Sequence, residues 1–390
     1  MIKRLKMIKF KDILSIFIFI IILPISLIYR LFLKIRKKDL WLICEDKNTA
    51  RDNGYHFFKY MRTNHKDINC YYAIDKKSKA YDNVKEYGNI INYGSLKHWI
   101  FYLSSKYNIS NQKSGNPSPA FFYFLHVKLG LFKNRVFLQH GITNDDSPWL
   151  YYKNTKFKFF ICGAKREYEY IKDKFGYPNK NVIYTGFARF YNLHDNKTID
   201  KQILIMPTWR NWLNNYDYTT NDESFKKTSF YINWNNLLNN KEFISFIEKN
   251  NIKVLFYPHR NIQKYLHLFK SNCKNIEFLD CDYNIQKALK ESNLLITDYS
   301  SVYMDFAYMK KMTIYFQFDY EEYREKQLQT GYYDYKRDSF GPVLSNDNDT
   351  VKEIIEFYKN GINKEYLNRM NSFFEKCDSN NCKRIYNCLK

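Results

Sequence analysis

Glycine and proline are scarce in this 390-residue chain, 12 and 8 in all. With 45% hydrophobic and 19% aromatic residues, that scarcity excludes a collagen-like or largely disordered protein. Its eight cysteines, Cys44, Cys70, Cys162, Cys273, Cys281, Cys377, Cys382 and Cys388, include no Cys-x-x-Cys pair and none at zinc spacing with histidine. Scattered thiols of this kind fit a reducing compartment, and no metal or cofactor is called for. Acidic residues are in deficit, 40 against 62 basic ones, and the net charge of +22 suits anionic partners such as phosphates or acidic lipid. An A/T-rich genome would produce the same richness in Lys, Asn, Ile, Phe and Tyr, so charge does not choose among partners. There is no internal repeat, heptad run, RNA-recognition motif or compact basic helix, and no nucleic-acid partner is expected.

One long uncharged run is present, from Ile13 to Tyr29. It stands at the short limit for a membrane-spanning helix, and Pro24 in its middle equally fits a shallow or re-entrant anchor. Lys3, Arg4, Lys6, Lys9 and Lys11 precede it, and Arg30, Lys34, Arg36, Lys37 and Lys38 follow. Both flanks favour the cytoplasmic leaflet, so residues 1–38 are expected to anchor the protein on an anionic membrane surface at the cytoplasmic face of the cell membrane.

Beyond Lys38 short apolar runs alternate with amphipathic stretches. Strands are predicted at Leu40–Cys44, Asn69–Ile74, Asn89–Asn92, Arg135–Gln139, Phe157–Cys162 and Val182–Tyr184. A second set is predicted at Gln202–Met206, Lys253–Tyr257, Ile276–Leu279, Asn293–Thr297 and Met312–Phe316. The helical stretch Asp282–Ser292 takes Asp282 as its cap. Two successive α/β sets predict two doubly wound, Rossmann-like domains at 39–198 and 199–349, divided near Asn196–Lys201, with C-terminal helices at 350–390 able to cross back onto the first. The Asn-rich stretch Asn211–Asn240 reads as a long loop and a short helix.

In open α/β sheets ligands bind beyond the carboxyl ends of strands, which singles out four loops. Arg135-Val-Phe-Leu-Gln139 leads into His140-Gly141, where histidine can take a proton from a hydroxyl and glycine allows close backbone approach. The run ending at Tyr257 leads into Pro258-His259-Arg260, a switchable donor beside a guanidinium suited to phosphate. Pro207-Thr208-Trp209-Arg210 offers a hydroxyl and a second guanidinium. Asp298-Tyr299-Ser300-Ser301 precedes a helical stretch, so that hydroxyls and free amides face an anion; simple serine capping is the plainer alternative.

Together these loops, with Asp305, resemble the ordered motifs of the CDP-glycerol glycerophosphotransferases, the teichoic-acid primases and polymerases and their capsule relatives. The resemblance extends to Asp52-Asn53-Gly54, Phe318-Asp319-Tyr320, Gly331-Tyr332-Tyr333 and Phe340-Gly341-Pro342, and so covers most of residues 40–390. It implies a GT-B fold with two domains facing a cleft and a CDP-glycerol or CDP-ribitol donor. It also implies transfer of the polyol phosphate to a hydroxyl of a lipid-linked or polymeric acceptor, with release of CMP. His140 and His259 are then the catalytic candidates, and Thr208, Arg210, Arg260, Asp298, Ser300 and Ser301 the donor contacts. Gly141, Asp305 and Asp319 are supporting residues, with Asp145 or Asp319 as substitute bases. Gln139 precedes His140 where many polymerases have Trp, and Ile142-Thr143 follow where they have Thr-Pro, a difference that bears on the acceptor.

Two other functions compete. A nucleotide-sugar glycosyltransferase would share the GT-B architecture, although the Glu-x₇-Glu pattern of many retaining enzymes is absent near Glu277–Tyr299. A non-enzymatic membrane-bound binding protein would account for the basic anchor alone.

Overall fold

The computed structural model describes residues 10–194, 197–214 and 222–390. The basic residues before Phe10, part of the predicted domain boundary and part of the Asn-rich loop lie outside them. The chain divides into two α/β units. The first takes in the described residues up to Ile142, then Pro148–Asn192 and Asp378–Lys390; the second takes in Thr143–Ser147 and the described residues of Leu193–Cys377.

The first unit holds a seven-stranded parallel sheet: β1 (Leu40–Ile43), β2 (Asn69–Ile74), β3 (Ile90–Asn92), β4 (Tyr107–Ser110), β5 (Arg135–Phe137), β6 (Phe159–Cys162) and β7 (Val182–Tyr184), in the order β3-β2-β1-β4-β5-β6-β7. Alternate side chains of β1 supply its two faces. Trp41 and Ile43 pack with Phe57, Phe58 and Met61, and with Cys382 and Ile385 of the terminal helix Asn381–Leu389. Leu40 and Leu42 pack with Trp99, Phe122, Ile22 and Leu33 on the other side.

The second unit holds a six-stranded parallel sheet: β8 (Ile199–Met206), β9 (Lys253–Phe256), β10 (Ile276–Phe278), β11 (Ser292–Thr297), β12 (Met312–Phe316) and β13 (Val343–Leu344), in the order β10-β9-β8-β11-β12-β13. Ile203, Ile205, Val254, Phe256, Leu294, Ile296 and Ile314 form its core with Trp234, Phe243, Val351 and Ile354 from the covering helices. The order reverses between β1 and β4 in one unit and between β8 and β11 in the other, the positions where ligands meet open α/β sheets.

Besides strand β13, which the sequence reading did not include, four details differ from it. Strand β4, Tyr-Asn-Ile-Ser, escapes an apolar-run search because one residue in four is aliphatic; it is nonetheless fully buried, and its Asn108 amide donates to the Tyr102 carbonyl at 2.8 Å. Helix Ile285–Glu291 is capped by Asn284, whose side chain accepts from the Lys287 amide, and not by Asp282. Helices Asp347–Asn360 and Lys364–Phe373 stay in the second unit, and only Asp378–Lys390 joins the first. The apolar run belongs to a longer helix, Phe10–Ile35, with Pro24 inside it.

That helix is docked along the first unit. Ser104 Oγ donates to the Ser26 carbonyl at 2.9 Å, Ser15 Oγ meets Ser118 Oγ at 2.8 Å, and the Tyr29 ring stacks on Phe101 at 5.5 Å. Its packed residues recur every three or four positions, from Ser15 through Ile18, Phe19, Ile22, Ser26 and Tyr29 to Leu33. The opposite face exposes Leu14, Phe17, Ile21, Ile25, Ile28, Phe32 and Ile35.

Candidate active site

The His140 loop is held by its backbone. Gln139 sits in the left-handed region at φ 58°, and its buried amide donates to the Ile161 carbonyl at 2.7 Å and to Glu167 Oε1 at 3.0 Å. Asn53, at the start of helix Asn53–Asn64, donates through Nδ2 to the Gln139 carbonyl at 2.7 Å, while its Oδ1 accepts from the Arg189 amide at 3.0 Å. The Arg189 guanidinium bridges Asp52 Oδ1 at 3.0 Å and the His140 carbonyl at 2.9 Å. His140 therefore has a fixed main chain and an exposed imidazole, with Gly141 next in an irregular turn.

Behind this loop lies a carboxylate pair at the β1/β4 reversal. Glu45 is buried and accepts the amides of Arg51, Asp52 and Tyr55 at 3.1, 2.9 and 2.8 Å. Burial first, then the nearby Asp52, pushes the Glu45 carboxyl up to about 7 against the pull of those three amides. Gly54 is required here, since a Cβ would stand 2.7 Å from Glu45 Cγ. Asp52 Oδ2 accepts from Asn111 Nδ2 at 2.7 Å. Asn53, Arg189 and Glu45 were not among the residues singled out from sequence as site residues; the Asp-Asn-Gly motif was the signal for the first.

In the second unit three of the four expected loops follow β8, β9 and β11, the Phe318-Asp319-Tyr320 motif follows β12, and direct bonds tie the β9, β11 and β12 loops to the β8 loop. Thr297 Oγ1 donates to the Met206 carbonyl at 2.6 Å and the Thr208 amide to Asp298 Oδ1 at 2.9 Å, closing the base of the β8/β11 reversal. Arg210 Nε and Nη2 reach the two Asp319 oxygens at 2.7 and 3.0 Å, Nη2 lies 2.9 Å from Asp298 Oδ2, and Nη1 donates to the Thr208 carbonyl at 2.8 Å. Tyr299 and Tyr323 stack on each other at 3.7 Å, with the guanidinium 4.8 and 5.3 Å from their rings.

This geometry sets two of the expected donor contacts apart from the rest. Arg210 and Asp298 are both 0% exposed, and their charges are spent on each other and on Asp319. They form a strut that sets the loops, with no face left for a phosphate. Burial raises the Asp298 carboxyl while Arg210 opposes it; burial alone would lower the Arg210 pKa, but Asp298 and Asp319 raise it above its ordinary value. The two substitute bases, Asp145 and Asp319, are likewise buried and paired with arginines. Asp319 also accepts the Tyr299 hydroxyl at 3.1 Å, and buried Asp145 is paired with Arg324 at 2.6 Å. Asp305 is buried within helix Val302–Tyr308.

Of the remaining expected donor contacts, His259, Arg260, Ser300 and Ser301 keep partly or fully exposed side chains. His259 is half-buried; its amide donates to the Pro207 carbonyl at 3.0 Å and its Nδ1 accepts from the Asn261 amide at 3.2 Å. Burial and then the neighbouring Arg260 pull its pKa down to about 4, so at neutral pH the ring is uncharged and Nε2 carries the proton as a donor. Arg260 is exposed. Ser301 stands at the N-cap of helix Val302–Tyr308 but its side chain makes no cap bond, and Ser300 Oγ accepts from Val302 only at 3.5 Å. Capping thus leaves both hydroxyls largely unspent. The Thr208 hydroxyl is buried without a partner among the described residues.

Two parallel doubly wound units, with histidine loops at the carboxyl ends of β5 and β9, define a protein of the GT-B-like class. The chain belongs to the CDP-glycerol:poly(glycerophosphate) glycerophosphotransferase family, whose model matches residues 25–390. It is 36% identical over 373 residues to the minor teichoic acid biosynthesis protein GgaB of Bacillus subtilis, a match covering 93% of this chain and 41% of that protein. The chain thus spans about two fifths of the length of that relative. The wall teichoic acid polymerase TagF has the same fold, with a TM-score of 0.65 at 16% identity over 90% of this chain and 88% of TagF. A TagF variant soaked with CDPG aligns at 0.65 and 18% identity over the same shares. A UDP-GlcNAc 2-epimerase from Neisseria meningitidis aligns at 0.56 with 10% identity over 90% of this chain and 99% of the epimerase.

Proposed function

We propose that this chain moves a polyol phosphate, glycerol phosphate in the first place, from a CDP-polyol to a hydroxyl of a surface-polymer or lipid-linked acceptor. The family match across residues 25–390 carries the reading. His140 takes the proton of the acceptor hydroxyl as its oxygen attacks the β-phosphorus of the donor. The bond from that phosphorus to the bridging oxygen breaks, and CMP leaves with the bridging oxygen and its electron pair. Charge growing on the phosphates is met by Nε2–H of His259, the Arg260 guanidinium and the hydroxyls of Thr208, Ser300 and Ser301. A neutral His259 suits this role, because it donates a hydrogen bond without titrating near pH 7.

The reaction is placed at the cytoplasmic face of the cell membrane, with helix Phe10–Ile35 lying in the lipid interface. A helix of that composition and length passes for a membrane span. Docking from Ser15 to Leu33 favours the in-plane arrangement, in which the exposed apolar face enters lipid and Arg30, Lys34, Arg36, Lys37 and Lys38 meet anionic headgroups.

Incubating the purified chain and a hydroxyl acceptor with radiolabelled CDP-glycerol, CDP-ribitol or a UDP-sugar tests the proposal. CMP formation coupled to label transfer from a CDP-polyol is expected. Transfer from the UDP-sugar alone would instead assign the chain to the glycosyltransferases.

A further inference from the structure

The first unit contains a cavity distinct from the His140 loop and unused by the transfer reaction. It measures about 140 Å³ and is lined by Lys113, Ser114, Tyr123, Val127, Arg135 and Asn154, among others. Two of these side chains are cations. Lys113 Nζ donates to the Trp149 carbonyl at 3.3 Å. Arg135, 9% exposed at the start of β5, donates from Nη2 to the Thr155 carbonyl and lies 4.6 Å from the Phe157 ring centre. Neither forms an ion pair with any carboxylate among the described residues.

A buried guanidinium with no counter-charge is costly, since burial removes the hydration that would otherwise screen it, and the exposed Lys113 beside it adds a second cation instead of a counter-charge. Burial, and after it the mutual repulsion with Arg135, lowers the Lys113 pKa; burial lowers that of Arg135 as well. The other ionisable groups beside Arg135 give no counter-charge. Tyr102 and Tyr177 are held protonated, both raised chiefly by burial, and His126 is held neutral at about 3 by burial and Arg135.

We infer that this cavity is a binding site for a phosphate group, contacted by the Arg135 guanidinium, the Lys113 ammonium and the Ser114 hydroxyl. A guanidinium fork beside an ammonium matches a tetrahedral dianion in both geometry and charge. The small volume takes a phosphate and excludes a nucleotide. Tyr123 lines the cavity and is also exposed, and Phe124, Leu129 and Leu131 are exposed beyond it in sequence. Free inorganic phosphate and the phosphate headgroup of a lipid both satisfy this chemistry, and the inference holds whether or not the chain transfers glycerol phosphate.

Binding of ³³P-labelled inorganic phosphate to the detergent-purified full chain, by equilibrium dialysis, forms one arm. Flotation with phosphatidylcholine vesicles, with and without phosphatidic acid, forms the other. Lys113→Met and Arg135→Lys are expected to weaken binding by about tenfold or more in whichever arm responds. Lys128→Met, which removes an exposed charge outside the cavity, should change it little. Because Arg135 also supports the Thr155 carbonyl, Lys113→Met is the decisive variant. A response to dissolved phosphate identifies a free-ion site, and a response only to phosphatidic acid identifies a headgroup site. Parent protein that responds in neither arm, or a Lys113→Met protein that binds like the parent, overturns the inference.

Discussion

Replacing Arg210 by Met tests whether the β8, β11 and β12 loops are set by a buried charge strut or by contact with a donor. The substitution keeps most of the side-chain bulk but removes the fork that spans Asp298 and Asp319, leaving two buried carboxylates without a cation. Breaking a buried pair from one side typically costs about 3–5 kcal/mol. The stability of a whole domain is only about 5–15 kcal/mol, so the second unit should lose a large part of its margin. Because the chain has two units, hydrogen exchange read peptide by peptide is a better assay than one global melting curve. Peptides covering Ile199–Met206, Ser292–Thr297 and Met312–Phe316 should lose protection, while those covering Leu40–Ile43 and Asn69–Ile74 should not. Arg210→Lys should fall between, since it restores one charge but not the fork. Unchanged protection together with weakened CDP-glycerol binding would refute the strut and return Arg210 to the ligand contacts.

Arg189→Met removes the bridge between Asp52 and the His140 carbonyl, so turnover should fall about tenfold to a hundredfold with donor affinity preserved; a fall in donor affinity instead would contradict a role confined to positioning His140. His259, lowered to about 4 in the fold from an ordinary 6.5, binds fewer protons folded than unfolded between those values. Its contribution is complete above pH 6.5 and is lost as the pH falls towards 4, up to about 3 kcal/mol. Exchange protection around Lys253–Phe256 should follow that curve, and His259→Asn should flatten it. Replacing exposed Ile20 and Ile28 together by Asp should abolish vesicle flotation without unfolding the protein, because each isoleucine loses about 1.5–3 kcal/mol of lipid burial. Parent-like flotation would place the membrane contact elsewhere.

Much of the fold was legible because parallel strands buried on both faces are nearly continuous apolar runs. Asn69–Ile74, Val182–Tyr184 and Met312–Phe316 have the bounds the sequence predicted. Strand β4 was not legible, because its Asn108, satisfied by the nearby Tyr102 carbonyl, and its Ser110 interrupt the apolar run. The loops after β5, β8, β9 and β11 were found by their place at strand ends. Sequence reasoning could not separate Arg210 from Arg260: each is an arginine just past a strand, one sealed between two carboxylates and two tyrosine rings, the other open to solvent. Gln139, noticed as a departure from the family pattern, proves to hold the His140 turn through Glu167 and the Ile161 carbonyl. That dependence on residues far along the chain leaves no local signature.

The most direct test of the proposed chemistry is a single-turnover measurement with saturating CDP-glycerol and a hydroxyl acceptor, comparing His140→Ala with the parent chain. The mutated imidazole is exposed and its loop is held through main-chain atoms, so the fold should survive the change. The account predicts a chemical step slowed by about 10²–10⁴-fold with donor affinity nearly unchanged. Transfer by His140→Ala at the parent rate would contradict it.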